Sequence, residues 1–200
     1  MKHLISNVPF ISQLIKYPTG CESVATVMAL QYLGYQGTVD EFIDHVLDKG
    51  QMPVKKEDGL YYGDDPWQCF PGNPYSMEDG WGCFVPVIEK AIAKLPEYES
   101  EAFYGKTLEE LKQFIDQDIP VVFWATIEFE TPRRSICWQT PEGKTIQWIS
   151  PMHCTLLIGY DEDGFIFNDP TSGQEVWFSR EKVQAAYDGQ GQQALIIRKK

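Results

Sequence analysis

Two periods of apolar residues divide the chain, and the change comes near residue 119. Residues 21–33, CESVATVMALQYL, are apolar on nearly every face, which is the pattern of a helix buried all round. Thr19, with Glu22 three residues later, has the form of a capping box, and Gly34 follows as a stop. A second helix is predicted from about Val39 to Leu47, opened by Thr38 and Glu41 and followed by Gly50. Residues 84–95 predict a third helix with an early proline, and residues 108–117 a fourth behind a Thr107/Glu110 box. Residues 8–13 read as a short extended lead-in. Residues 51–82 hold Gly, Pro, Asp and aromatics without a period. Irregular stretches of that length are usually functional or mobile.

Beyond residue 119 the period becomes two. IPVVFWAT (119–126) reads as a buried strand. Residues 135–139 and 144–149 flank a Pro-Glu-Gly turn and predict a hairpin. Residues 154–160 and 165–169, joined by Asp-Glu-Asp-Gly, predict a second hairpin. A strand at 174–178, a short helix at 180–187 and a closing strand at 193–198 complete the chain. Helices first and an antiparallel sheet afterwards predict an α+β fold, with the whole chain 1–200 as a single domain.

Composition narrows the function classes. A chain of 200 residues buries roughly 70% of its unfolded surface and needs no disulfide or metal staple. The net charge is −12, which disfavours nucleic acid and anionic membranes as partners. No stretch approaches 18 consecutive apolar residues, so no membrane insertion is expected. The start, MKHLISNVPFISQ, has no signal-peptide pattern. As written the chain is expected to be cytoplasmic, and secreted or at the cell surface if a leader has been removed. Five cysteines, with no CxxC pair, argue against a zinc site or a disulfide framework; a Cys69–Cys83 bridge stays open for a secreted protein. Six tryptophans and ten tyrosines fit either a packed core or a groove for a flexible ligand.

Candidate chemistry gathers at a few positions. Cys21 opens the buried helix, where free peptide N–H groups and the helix dipole favour thiolate. It also reads as a small buried hydrophobe. Of three histidines, His45 lies in the second helix and His3 close to the terminus. His153 directly precedes a strand, at a rigid position suited to a base, or to an ordinary core histidine. The partner strand ends in Asn168-Asp169-Pro170. The pleat puts Asn168 and Asp169 on opposite faces, so one of them can orient His153. Asp169-Pro170 equally reads as a plain turn. Gln13, eight residues before Cys21, carries an amide able to join the Cys21 N–H in an oxyanion hole.

VPFISQ…YPTGCESVATVMALQYLGY and HCTLLIGYDEDGFIFNDP together resemble the papain-like cysteine peptidases of the bacteriocin-leader (double-glycine) type, in particular stand-alone bacterial proteins of that group. The resemblance implies a papain-like cysteine peptidase fold, with the helical first half packed on the antiparallel sheet of the second half. It implies Gln13 as oxyanion donor, Cys21 as nucleophile, His153 as base and Asp169 as the orienting group, with Asn168 in reserve. It implies a peptide or amide substrate and no cofactor or metal. Two departures stand out. Leader peptidases of this type usually have glycine after the cysteine, whereas Glu22 stands here, opposing thiolate formation while suiting a helix N-terminus. The ATP-binding portion that accompanies them, with its glycine loop, has no counterpart. Trp67, Trp81 and Gly82, in the 51–82 excursion and its Gly-Trp-Gly-Cys end, are candidates for a substrate groove or for structural packing.

Three classes therefore compete: a cysteine peptidase, an amidase or acyltransferase with the same triad, and a binding protein with a silent papain-like site. A metal-binding protein is disfavoured because ligand spacing is absent. Oligomeric state is not legible.

Overall fold

The computed structural model describes residues 2–200. The elements in order are β1 (His3–Leu4), α1 (Cys21–Tyr32), α2 (Val39–Glu41) running into a π-turn (Phe42–Val46), β2 (Lys49–Gly50), β3 (Val54–Lys55), β4 (Tyr61–Tyr62), β5 (Phe70–Pro71), α3 (Val85–Ile92) and β6 (Tyr98–Tyr104). There follow α4 (Leu108–Ile115), β7 (Val121–Thr126), a 3-10 turn (Ile127–Phe129), β8 (Arg133–Gln139), β9 (Thr145–Ser150), β10 (Met152–Tyr160), β11 (Gly164–Asp169), β12 (Gly173–Ser179), α5 (Arg180–Gly189) and β13 (Gln193–Lys199). The α+β expectation holds.

A seven-stranded antiparallel sheet carries the molecule, in the order β12-β11-β10-β7-β13-β6, with β1 alongside β10. Its central strands explain their own sequences. All six residues of β7 are buried, as are the last eight of β10. Strands covered on both faces read as continuous apolar runs. α1 packs on β10 and β7, and its first ten residues, Cys21 to Leu30, are all buried. That burial explains why its sequence has no polar face.

Several expectations are corrected. The sheet recruits two strands from the first half: β1, which pairs His3 with Tyr160, and β6, whose sequence YESEAFY gave no strand reading. β6 lies at the sheet edge, where charged side chains stay in water and blur the alternation. The β8–β9 hairpin leaves the main sheet. It joins β3 and β4 of the 51–82 excursion in a four-stranded sheet. The excursion is therefore partly ordered as strands rather than wholly irregular. All five thiols are free, so Cys69 and Cys83 form no bridge.

Capping boxes form at Thr38/Glu41 and Thr107/Glu110, but the one expected at Thr19/Glu22 does not. Gly20 is the N-cap and provides no side-chain bond, so Thr19 lies one residue too early. Its hydroxyl instead donates to the Asn73 and Ser76 carbonyls, at 3.3 and 3.0 Å. The excursion is thereby tied across the front of α1. No helix among the described residues is long and apolar enough to cross a membrane.

Candidate active site

Cys21 is the first residue of α1, fixed where the chain turns out of the Tyr17–Gly20 corner into the helix. Its side chain is almost closed off, at 6% exposure. The thiol donates to Glu22 Oε2 at 3.4 Å, and the backbone N–H of Cys154, the residue after His153, also reaches the sulfur. Burial, reinforced by the Glu22 carboxylate, pushes the Cys21 thiol well above its ordinary value; the Cys154 N–H acts in the opposite direction. The helix N-terminus alone predicts a lowered thiol. In this closed form desolvation and the adjacent carboxylate outweigh it.

His153 is the second residue of β10, inside the strand rather than before it, and pairs with Ala125 of β7. It is 1% exposed. Its Nε2 lies 3.1 Å from Asp169 Oδ1 and 3.5 Å from the Thr171 hydroxyl. With Nε2–H assigned to the carboxylate, Nδ1 carries the lone pair of the neutral ring.

Asp169 ends β11 and is fully buried. Its Oδ1 also accepts from the Thr171 N–H (2.8 Å), the Thr171 hydroxyl (2.7 Å) and the Ser172 N–H (2.9 Å). Burial pushes the carboxyl up, but His153 and these donors together outweigh it and hold the carboxyl well below the usual carboxylate range. Asp-Pro-Thr-Ser thus folds into a turn that anchors the carboxylate. Thr171 is a contributor that sequence reading missed, although the Asp-Pro-Thr run is a recognisable turn signal. Asn168 faces the other way. Its Nδ2 donates to the Val8 and Pro9 carbonyls and its Oδ1 accepts from Glu175 N–H. It pins the lead-in segment and does not touch His153.

That segment delivers Gln13. The Gln13 N–H donates to the Pro170 carbonyl at 3.0 Å, fastening the residue beside the Asp169 turn. Its side chain is buried; Nε2 donates to the Pro18 carbonyl at 2.9 Å, and Oε1 has no partner. Gln13 is therefore held between the corner that leads into Cys21 and the turn that holds Asp169.

Glu22 stood out in the sequence as a carboxylate beside the thiol, but its burial and its bond to Cys83 were not legible there. It is fully buried, and its Oε1 accepts from Cys83 N–H at 2.6 Å. The Cys83 carbonyl in turn accepts from Trp124 Nε1–H of β7 at 2.8 Å. The backbone of one residue, Cys83, is thus clamped between α1 and the sheet. Burial pushes the Glu22 carboxyl up to about 7, against the lowering effect of the Cys83 N–H and of His153. Gly82 precedes this clamp at φ +147°, where an added Cβ would run into Met152 Cε and Glu22 Oε1. Trp81 packs its ring on Trp138 and Trp148 at 5.7 and 5.5 Å. Trp81 and Gly82 therefore belong to the cover of the site. Trp67 packs its ring, tilted, on Phe84 at 4.5 Å, and Phe84 in turn lies 5.7 Å from Trp148 in the same aromatic run. There it helps line a separate cleft of about 250 Å³ with Lys144, Gly191 and Gln193.

Among the described residues no group of three or more His, Cys, Asp or Glu is arranged to hold a metal. The arrangement supplies a thiol, an imidazole paired with a buried carboxylate, and a helix N-terminus. Those are the parts of a nucleophile–base system.

Comparison with known proteins gives the family and the fold. The profile of the Peptidase_C39 like family matches residues 5–195. The uncharacterised protein YvpB of Bacillus subtilis (strain 168) is 28% identical over 183 residues, covering 90% of this chain and 69% of YvpB. A crystal structure of a candidate C39-like peptidase from Bacillus anthracis superposes with a TM-score of 0.84 at 30% identity, covering 100% of this chain and 98% of that one. The fold is that of a C39-like peptidase, and the chain belongs to the Peptidase_C39 like family.

Proposed function

We propose that the protein is a cysteine hydrolase that cleaves peptide or amide bonds, with Cys21 as nucleophile, His153 as base, Asp169 as the orienting group and Gln13 as oxyanion donor. One observation carries this reading. His153, paired with the buried Asp169 of β11, is followed in β10 by Cys154, whose backbone N–H reaches the Cys21 sulfur. His153 Nδ1 takes the Cys21 proton, and the thiolate attacks the substrate carbonyl. The oxyanion forms against the Cys21 N–H, which is free of helical partners at the start of α1, and against the second Nε2–H of Gln13. Imidazolium then protonates the leaving amine, and water releases the acyl group. A net charge of −12 supports a neutral or basic peptide rather than a nucleic acid.

The test is turnover of a mixed peptide library followed by mass spectrometry. Cleavage is expected in the wild type, lost in Cys21→Ala and His153→Ala, and reduced about 10²- to 10³-fold in Gln13→Ala, the usual effect of one oxyanion donor. Full cleavage in Cys21→Ala contradicts the reading. An uncut library with Cys21-dependent turnover of a small amide favours the amidase assignment, which the same residues serve equally well.

A further inference from the structure

Glu22 is a fully buried carboxyl group with no ion-pair partner among the described residues. One oxygen holds the Cys83 peptide over the site and the other accepts the Cys21 thiol. A carboxylate without a cation partner is costly to bury, and the helix start alone does not require it, because Gly20 caps α1 without any side chain. Its place is beside the sulfur.

We propose that Glu22 is a positioning residue for Cys21: protonated, it donates a hydrogen bond to the Cys21 thiolate; ionised, it accepts from the thiol and holds the site at rest. The inference rests on the reading of Cys21 as a nucleophile. In the resting form Cys21 S–H donates to the Glu22 carboxylate and His153 is neutral. Uptake of one proton from solvent neutralises Glu22. Its O–H then faces the sulfur, and the Cys21 proton passes to His153 Nδ1. The product is a thiolate–imidazolium pair beside a neutral acid, with no further proton gained or lost.

The surroundings fit this exchange. The titratable groups facing Glu22 are Cys21 on its own helix, Cys83 from the excursion, and His153 and Cys154 from β10, with Asp169 behind His153. His153 is the only one able to become a cation. Burial raises the Glu22 carboxyl to about 7, so the exchange falls in a range that peptidase assays reach.

The experiment is iodoacetamide labelling of Cys21 from pH 5.5 to 8.5 in wild type, Glu22→Gln and His153→Ala, with Cys21 followed by mass spectrometry. The glutamine keeps an acceptor for Cys83 N–H and a donor for the sulfur, but has no proton to lose. Wild-type and Glu22→Gln rates are expected to agree near pH 6. By pH 8, one unit above the Glu22 value of about 7, the variant is expected to label about tenfold faster. A residue that only supported the fold would alter the rates without changing the pH at which they bend. Coincident wild-type and Glu22→Gln profiles, both fast and both dependent on His153, overturn the Glu22 proposal and leave the Cys21–His153 reading intact. Slow labelling indifferent to His153 overturns both. If Glu22→Gln does not fold, the assigned carboxyl carbon of Glu22 decides by NMR in the wild type: titration near pH 7 supports the proposal, and titration near 4.5 overturns it.

Discussion

At Asp169 one oxygen gathers four donors or ring contacts: His153, the Thr171 N–H and hydroxyl, and the Ser172 N–H. Removing such a buried partner typically costs about 3–5 kcal/mol, and Asp169→Ala is expected to lower stability by that order in urea denaturation. The carboxyl is held below its ordinary value of 3.8. Its stabilising contribution is therefore complete above that pH and is lost as acid titrates the folded group at still lower pH. Glu22 has the opposite sign. Its carboxyl moves from 4.5 to about 7 on folding, so the unfolded chain ionises first as pH rises. Wild type is expected to lose about 3 kcal/mol between pH 4.5 and 7 that Glu22→Gln keeps, measured as the difference between their urea midpoints at pH 4.5 and 8. As candidates, Cys21, His153 and Asp169 stood out in the sequence because each lies at or next to an element boundary: a helix start, the first residues of a strand and an Asp-Pro step. The choice of Asp169 over Asn168 was not legible, because it depends on which face of β11 turns to β10. The opposition of Glu22 to the Cys21 thiolate was legible from its place in the sequence, but the burial that raises the thiol most was not, since the chain 61 residues on from Glu22 closes over it.

Capping at the level of elements follows sequence where the box is local and fails where the chain has another use for the residue. Thr107 accepts from Glu110 N–H at 3.2 Å while the Glu110 side chain reaches back to Thr107 N–H at 2.8 Å. Thr107→Ala is expected to cost about 1 kcal/mol by thermal or chemical denaturation. Thr19 has the same spacing to its glutamate but ties down the excursion through Asn73 and Ser76. Thr19→Ala is therefore expected to loosen residues 73–83, read as faster amide exchange there, with α1 itself unchanged. Gly82→Ala tests the cover from the other side. A methyl group at φ +147° between Met152 and Glu22 is expected to destabilise by roughly 1–3 kcal/mol, seen as a lowered urea midpoint. Strands buried on both faces were legible as apolar runs. The edge strand β6 and the parallel β4–β8 pairing were not, since one is masked by charge and the other joins segments far apart in sequence.

The molecule as a whole sets a buried, cross-braced sheet behind a candidate site covered by a less regular segment. Amides of β7 and β10 are expected to exchange with solvent water only through global unfolding. The excursion, pinned by a few side-chain bonds, is expected to open at lower free energy. Under the proposed function, such opening is what would let a thiol that is 6% exposed meet a substrate. It also makes the resting closure compatible with catalysis. The helical first half and the antiparallel sheet were readable from the change of period near residue 119, but the second sheet that ties the two halves together depends on tertiary pairing. The central claim is that Cys21 and His153 act as one chemical pair. The most direct test is the rate of Cys21 alkylation by iodoacetamide at pH 6 in wild type and His153→Ala. Fast labelling that collapses in the variant is expected. Slow labelling that rises only as an ordinary thiol ionises, near pH 8.5, and is the same in both proteins would contradict that claim and assign the fold to a silent scaffold.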